Sequence, residues 1–172
     1  MRKKLGRKFF QRKTLIVARE LLGKFLIRRS GGTVIAAKII ETEAYCGPHD
    51  KACHASKGLT PRTRVMFGPP GHAYVYLVYG MYHCLNIVTE KDGYPAAVLI
   101  RAVEHPNADG PGKLCRELKI DKKLNGADVT SGDKLWVEDR GVRVAASAIK
   151  RSPRIGIDYA GPWKHKLWRF YL

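Results

Sequence analysis

The sequence predicts an α+β fold: a single mixed domain in which short helices flank a curved, mostly antiparallel sheet with a protruding β-hairpin. The length of 172 residues allows one domain with a sizeable core, and no polar or low-complexity stretch divides it. Apolar runs rich in Val, Ile and Tyr are separated by short turns that contain glycine, as antiparallel strands are. Helical patterns are few and do not alternate with the strands, which disfavours parallel β-α-β units.

The predicted elements begin with a helix and a long β-hairpin. Thr14 is a suitable helix cap and Gly23 a suitable terminator, and a turn with two glycines separates two apolar runs. We expect a basic, solvated arm over residues 1–13 and a single domain over 14–172. This domain opens with a helix over 14–22, strands over 25–28 and 33–45, a turn over 30–32 and a helical turn near 51–56.

Three further strands are predicted to form an antiparallel meander, because they follow one another at short intervals. The segment Lys91-Asp92-Gly93 separates the last two of them. The rest of the chain is predicted to contain a short helix and small strands. These elements cover 73–79, 84–89 and 95–104 for the meander, 112–119 for the helix, and 135–138, 142–145 and 168–172 for the small strands.

The charge of the chain indicates a polyanionic partner. Lys and Arg number 32 against 15 Asp and Glu, which gives a formal net charge of +17. Such an excess repels itself unless an anionic partner is bound, and nucleic acid is the first candidate. A surface charged only for solubility is the alternative. Side chains suited to phosphate contacts are those of Arg62, Arg64, Arg151, Arg154, Lys164, Lys166 and Arg169.

Composition also bears on location and on metal chemistry. No apolar run approaches 18 residues and no signal peptide is predicted, so we expect a protein of the cytoplasm or nucleoid, or of the nucleus in a eukaryote, without membrane attachment. The four cysteines are expected to be reduced thiols. A zinc site is an alternative, but its spacing matches no common zinc module. Its four ligands would be Cys46, His49, Cys53 and His54.

Two carboxylates, Glu41 and Glu43, extend an apolar strand. At the strand period of two, both share the face on which Ile39 points into the protein. A buried carboxylate is usually paired, hydrogen-bonded or functional, so chemistry is predicted here. A strand that simply emerges into solvent at Glu41 is the alternative. The positions predicted on this face are Ile35, Ala37, Ile39, Glu41, Glu43 and Tyr45.

A second group of candidates lies in the predicted hairpin 74–82, which contains four tyrosines. Tyr74 and Tyr76 share one strand face and can line a cavity, whereas Tyr79 or Met81 can project from the turn. Apolar wedges beside basic residues are used by minor-groove proteins to unstack bases. An ordinary aromatic core strand is the alternative.

Arg101 and Asn86 are isolated polar residues in apolar strands. A guanidinium in a core strand needs an anionic partner, for which Glu43 or Glu41 is the candidate. Such pairing favours an ionised carboxylate, which can orient a water molecule. The Asn86 amide can recognise the polar edge of a ligand. Together these residues outline a pocket.

Longer segments resemble one enzyme family. The chain closely resembles the alkyladenine (3-methyladenine) DNA glycosylases of the vertebrate type in ETEAY (41–45), GPHDKACHA (47–55), TPRTRVMF (60–67), YVYLVYGMYHCLNI (74–87), VLIRAVE (98–104) and GPGKLC (110–115), and in outline in RIGIDYAG and WRFY. The resemblance covers nearly the whole chain in order. It implies a 3-methyladenine DNA glycosylase II that flips alkylated purines out of double-stranded DNA and hydrolyses the N-glycosidic bond in base excision repair. It implies no metal or organic cofactor.

The resemblance also implies roles for the candidate residues. Glu43 is the general base that activates water, and Arg101 holds both that water and Glu43 in place. Tyr79 is the wedge that fills the gap left by the flipped nucleotide. The residues implied at the flipped base are Tyr45, His54, Tyr76 and Asn86, and those expected at the DNA backbone are Arg62, Arg64 and Met81.

Two other functions stay open from the residues alone. A non-catalytic nucleic-acid-binding module would use the charge and the aromatic side chains, and would need no carboxylate near its groove. A bifunctional glycosylase with lyase activity would need an amine nucleophile. Lys38 is the lysine nearest to the proposed site in sequence, and the strand period places it on the opposite face from Glu43. We expect the protein to be a monomer.

Overall fold

Nine β-strands within residues 2–172, the part of the chain that the computed structural model describes, form one antiparallel sheet. Its main path has the order β1-β7-β2-β3-β6-β5-β4, with β9 paired to both β3 and β8. The strands are β1 (Lys3–Lys4), β2 (Phe25–Ser30), β3 (Thr33–Tyr45), β4 (Ala73–Val78), β5 (Tyr82–Thr89), β6 (Ala96–Glu104), β7 (Leu135–Asp139), β8 (Lys150–Ser152) and β9 (Arg169–Tyr171).

Short helices flank the sheet, which confirms the α+β class. The α-helices are α1 (Arg7–Phe10), α2 (Thr14–Glu20) and α3 (Pro111–Glu117), and the 3₁₀ segments are His54–Lys57, Arg64–Phe67, Lys122–Leu124, Ala146–Ala148 and Asp158–His165. Between residues 2 and 172, no helix is both long and apolar enough to cross a membrane.

The two faces of the sheet are covered differently. The main hydrophobic core lies on one face, where buried residues of α2 and α3 pack against the strands. The opposite face of the meander carries a smaller cluster contributed partly by the segments around the first two 3₁₀ turns. Its buried members are Cys53, Ala55, Met66, Tyr74, Val88 and Ala97.

The predicted hairpins are confirmed. Ser30 pairs with Thr33, and Gly31 and Gly32 both have positive φ angles of 54° and 81°, as a two-residue turn with glycines requires. Strands β4, β5 and β6 form the predicted meander. The strand predicted over 142–145 is wrong, because β7 already pairs with β2 on one edge and with β1 on the other.

Residues 3–13 pack against the domain instead of extending into solvent as predicted. Lys3 and Lys4 pair with β7 as strand β1, and Leu5 and Phe10 are buried in the main core. The Arg7 guanidinium forms an ion pair with Asp128. Apolar side chains between the basic ones therefore attach this segment to the sheet.

Two β-bulges change the faces of β3 and β6 beside the cavity. The register between these strands skips Ile40 on β3 and Arg101 on β6. An extra residue reverses the alternation of side chains beyond it. Ile39 consequently shares the main core face with Thr42, whose hydroxyl donates a hydrogen bond to the Ala18 carbonyl of α2 at 2.8 Å.

The bulge at Ile40 overturns the predicted common face of Ile39, Glu41 and Glu43. Both carboxylates lie on the face opposite to Ile39, and not on the main core face. The same reversal puts Lys38 on the side of Glu43, contrary to the prediction. The Lys38 ammonium lies 2.9 Å from the Glu104 carboxylate and is used in that ion pair.

Candidate active site

A cavity of about 490 Å³ opens on the face of the meander that is opposite to α2 and α3. Its volume is typical of sites that bind small ligands. Most residues proposed from the sequence line it, together with several that were not proposed. The lining residues include Tyr45, His54, Arg62, Tyr74, Tyr76, Tyr79, Asn86, Arg101, Ile155 and Tyr159.

Glu43 lies directly behind the wall of this cavity and its side chain is fully buried. Its Oε2 atom accepts a hydrogen bond from the Tyr45 hydroxyl at 2.8 Å, and its Oε1 atom accepts one from the Ile155 N–H at 2.8 Å. The Arg101 Nη1 atom lies 3.4 Å from Oε1. All three neighbours line the cavity, so Glu43 is held by the residues that a ligand would contact.

The environment of Glu43 acts on its charge in both directions. Burial raises the pKa of the Glu43 carboxyl above its usual value, and this is the largest effect. The Arg101 guanidinium and the hydrogen bonds from Ile155 and Tyr45 oppose it. The result is a carboxylate that binds a proton more readily than an exposed one, as a general base must.

Arg101 bridges both carboxylates that the sequence left as candidate partners. Its Nε atom donates to Glu41 Oε1 at 3.1 Å, and its Nη1 atom faces Glu43. Glu41 Oε1 also accepts a hydrogen bond from Arg169 Nη1 at 3.0 Å. Glu41 is thus held by two guanidinium groups, one of which lines the cavity.

Aromatic rings form one wall of the cavity. The His54 and Tyr76 rings meet edge to face with centroids 4.6 Å apart, and His54 Nδ1 lies 2.9 Å from the Tyr74 hydroxyl oxygen. Burial lowers the pKa of His54 to about 4, with smaller effects from Arg62 and Lys57. His54 is therefore neutral near pH 7.

Asn86 lies where β4, β5 and β6 run side by side, opposite Tyr74 in one neighbour and Leu99 in the other. Its side chain is almost fully buried and still contributes to the cavity wall. The Nδ2 atom donates to the Tyr74 carbonyl at 3.3 Å. This contact fixes the orientation of the amide in the cavity wall.

The β4–β5 turn presents Tyr79 at the rim. Tyr79 is 87% exposed and has a φ angle of 52°, in the left-handed region that side chains other than glycine rarely adopt. Gly80 follows with a φ of 67°. Met81 is exposed at the same tip but does not border the cavity, and Arg64 is exposed outside it.

Sequence reasoning missed the role of Asp50 and misplaced that of Arg154. Arg154 was predicted to contact DNA phosphates. Instead, the side chains of Arg154 and Asp50 are fully buried and form a bidentate ion pair, with Nη1–Oδ2 and Nη2–Oδ1 distances of 2.5 and 2.8 Å. Arg169 also differs from that prediction, because it contacts Glu41.

The Asp50–Arg154 pair joins the segments that carry the site. Arg154 donates to the Ala44 carbonyl at 2.9 Å, and its guanidinium lies 4.8 Å from the centre of the Tyr45 ring. It directly precedes Ile155, whose N–H contacts Glu43. No local sequence pattern predicts this pair. The only indication from sequence that Asp50 and Arg154 belong to a site is that the segments containing them, GPHDKACHA and RIGIDYAG, resemble one family.

The four residues considered for zinc are not brought together as a metal site. Throughout the described chain, no group of three or more His, Cys, Asp or Glu side chains is placed to hold a metal ion. Burial raises the pKa of the Cys46 thiol to about 12 and that of Cys53 to about 11. Both thiols are protonated near neutral pH, and metal ligation requires thiolates.

Known proteins are similar to this chain over almost all of its length. The family model described as Methylpurine-DNA glycosylase (MPG) matches residues 8–108 and 104–172. A protein of Methanocella arvoryzae named "Putative 3-methyladenine DNA glycosylase" is 56% identical over 97% of this chain and 91% of its own length. Proteins with the same name from Legionella pneumophila strain Corby and Myxococcus xanthus are each 49% identical, over 99% and 98% of this chain and 94% and 89% of their own lengths.

These relatives are archaeal and bacterial, so the vertebrate type named from the sequence stays a prediction. The family itself is shown by a match that extends from residue 8 to the last residue, and by identities near half or above over almost the full chain. The chain belongs to the methylpurine-DNA glycosylase family.

Proposed function

We propose that the protein is a monofunctional DNA N-glycosylase of the 3-methyladenine type, which removes alkylated purines from duplex DNA and leaves an abasic site. The observation that carries the proposal is the fully buried Glu43, held by three residues that line an aromatic cavity. A module that only binds nucleic acid has no use for a carboxylate in this position. The proposed enzyme acts as a monomer.

The proposed reaction is a displacement at the sugar carbon C1′. The bond from C1′ to the purine nitrogen breaks and its electron pair leaves with the base, while C1′ becomes positively charged in the transition state. A water molecule forms the new C1′–O bond and gives its proton to Glu43. An ionised Glu43 also stabilises the positive sugar, and Arg101 holds the carboxylate in place.

The cavity wall supports a preference for cationic bases. Alkylation at a ring nitrogen gives a positively charged purine, which can be attracted by cation–π interaction to the faces of Tyr45 and Tyr76 that the guanidinium groups of Arg154 and Arg62 leave free. Stacking recovers about 1 to 3 kcal/mol per base. A cationic base also leaves without being protonated. His54, neutral near pH 7, is a poor acid for leaving groups that need a proton.

To extrude the damaged base, the protein must separate it from the neighbouring stacked base pairs of the duplex. In this proposal Tyr79 enters the minor groove and fills the gap, which its exposure at the hairpin tip beside the cavity supports. Extrusion costs a few kcal/mol and costs least at damaged or poorly paired positions, which adds selectivity. Asn86 in the cavity wall would crowd the exocyclic amine of normal guanine.

The test is release of free base from methylated duplex DNA by wild type, Glu43→Gln and Glu41→Gln. We expect Glu43→Gln to lose at least about 100-fold in rate, the lower scale for a general base, and to keep its affinity for damaged DNA. Glu41→Gln is the matched control, because it removes the same charge from the same strand and should lose much less.

Each other outcome favours a different function. Unimpaired turnover by Glu43→Gln would show that Glu43 is not the general base. Tight binding without release by the wild type would favour the non-catalytic module. Covalent trapping of the protein on DNA by borohydride would favour the lyase. The ion pair of Lys38 with Glu104 speaks against that reaction.

A further inference from the structure

A second depression lies on the other side of the β4–β5 hairpin from the active-site cavity. It has a volume of about 300 Å³, and we call it the hairpin groove. Pro111 borders the cavity and Gly112 borders the groove, so the start of α3 also lies between the two. The residues that define the groove are Met81, Tyr82, His83, Gly112, Cys115, Arg116, Lys119, Ile120 and Asp121.

The groove is bordered by more positive than negative charge. Arg116 and Lys119 are exposed on its edge, and the Arg28 guanidinium donates to the Lys119 carbonyl at 2.9 Å. Asp121 also borders it, but its Oδ1 atom accepts the Lys123 N–H at 2.8 Å. Glu117 lies 3.2 Å from Arg116 in an exposed ion pair, which is weak in water.

Lys119 occupies an unusual backbone position. Its φ angle is 51°, and it follows α3 where the Ile120 N–H donates to the Cys115 carbonyl at 2.8 Å. Glycine or asparagine normally fills this place at a helix end, because the left-handed conformation disfavours larger side chains. Lys119 thus combines a strained backbone conformation with a position beside a concave surface, where its charge is available to a ligand.

We propose that the hairpin groove binds the sugar–phosphate backbone of the unmodified DNA strand. The inference rests on the proposed function, in which Tyr79 enters the minor groove beside the extruded nucleotide. Two strands border that groove, so an inserted wedge has one strand on each side. The cavity accepts a nucleotide from one strand, which leaves the other strand on the side of Arg116 and Lys119.

The groove offers the contacts that this backbone needs. Guanidinium and ammonium groups contact phosphates without regard to sequence. Met81 and Tyr82 are exposed apolar side chains of the hairpin that can pack against deoxyribose. The hairpin would then be held by phosphates of the unmodified strand while the nucleotide on the other strand is extruded.

The test combines an Arg116→Ala/Lys119→Ala variant with neutral phosphates in the DNA. Methylphosphonates replace two phosphates, either in the unmodified strand facing the lesion or in the lesion strand. Affinities are measured at about 0.1 M salt for the wild type, this variant and a control variant, Lys3→Ala/Lys134→Ala. The control removes two exposed charges at the β1–β7 edge, the end of the sheet farthest from β4.

We expect neutral phosphates in the unmodified strand to weaken the wild type and the control variant on the order of 10-fold or more, and the groove variant by less than about 2-fold. Neutral phosphates in the lesion strand should weaken all three proteins alike. The proposal is overturned if neutralising the unmodified strand weakens the groove variant as much as the wild type.

This result is independent of catalysis. A wild type that binds the lesion duplex but releases no base would refute the proposed function, and the comparison of affinities would still decide whether the groove contacts the unmodified strand. If the wild type releases base but neutral phosphates in the unmodified strand weaken the groove and control variants equally, only the proposed role of the hairpin groove is refuted.

Discussion

Glu43 occupies a position in the fold that disfavours the ionised form of its carboxyl group. Its side chain is fully buried, and burial raises its pKa. Arg101, the Ile155 N–H and the Tyr45 hydroxyl each favour the ionised form, but they only partly offset the loss of water. Sites arranged for reactivity often cost stability in this way.

Replacing Glu43 by Gln is expected to stabilise the fold relative to wild type, and more so at higher pH. Because the pKa of Glu43 is higher in the folded than in the unfolded state, its contribution to stability is fully present below the unfolded pKa and is lost as the pH rises through the folded pKa. Thermal unfolding of both proteins at about pH 4 and about pH 8 measures this effect.

The comparison between the two proteins removes the effect of His54. The pKa of His54 is lowered to about 4, so the stability it contributes near neutral pH is lost as the pH falls below its unfolded value of about 6.5. This loss is common to wild type and variant at each pH. A difference in melting temperature that stays constant or shrinks as the pH rises would contradict the expected effect of Glu43.

At the scale of elements, local patterns predicted most strands and turns of the fold. Strand β3 has the predicted bounds Thr33–Tyr45, because its β-branched residues and the two-glycine turn before it are local properties. The bulges at Ile40 and Arg101 were not predicted, because they depend on how two strands far apart in sequence pair. A one-residue insertion decides which face Glu43 occupies, and the period of two alone cannot predict such an insertion.

Charged residues were the hardest to place from sequence. Arg154 follows a proline among other basic residues, a pattern typical of an exposed loop, yet it is buried against Asp50, 104 positions away in the chain. Leu5 and Phe10 attach the basic N-terminal segment to the core, although the charges around them predicted a solvated arm. Whether such segments are buried or exposed depends on contacts with residues that are distant in sequence.

A substitution in the β4–β5 hairpin can distinguish a role of Tyr79 in DNA binding from a role in the stability of the fold. Tyr79 is exposed and in the left-handed conformation, which asparagine tolerates better than tyrosine. Tyr79→Asn should therefore leave the melting temperature equal or higher. It should also reduce the rise in 2-aminopurine fluorescence when the protein binds DNA with that base beside the lesion, because the gap is no longer filled.

A control for the hairpin is Val34→Asn, which changes another exposed apolar residue near a hairpin turn at the far end of β3 from the cavity. This variant should show the wild-type fluorescence change. Unaltered fluorescence with Tyr79→Asn would remove Tyr79 from the role of wedge, and a lower melting temperature would show that the tyrosine stabilises the turn.

At the scale of the whole molecule, positive charge exceeds what internal pairing can neutralise. The 15 acidic residues face 32 basic ones, and several acids are paired within the structure, as Asp128 is with Arg7 and Asp139 with Lys24. Exposed Arg62 borders the cavity, Arg64 is exposed two residues further along the chain, and Lys119 borders the hairpin groove. This distribution suits a duplex that passes over the hairpin tip.

Binding and chemistry should consequently respond differently to salt. If the protein neutralises about six phosphates, its affinity for a lesion-containing duplex should fall roughly 1,000-fold between about 50 and 200 mM salt. The single-turnover rate at saturating protein should change little, because Glu43, the proposed general base, and its partner Arg101 lie at a buried site where screening is weak. A flat titration of affinity would contradict the electrostatic interpretation. A rate that fell in parallel with affinity at saturation would show that salt reaches the site itself.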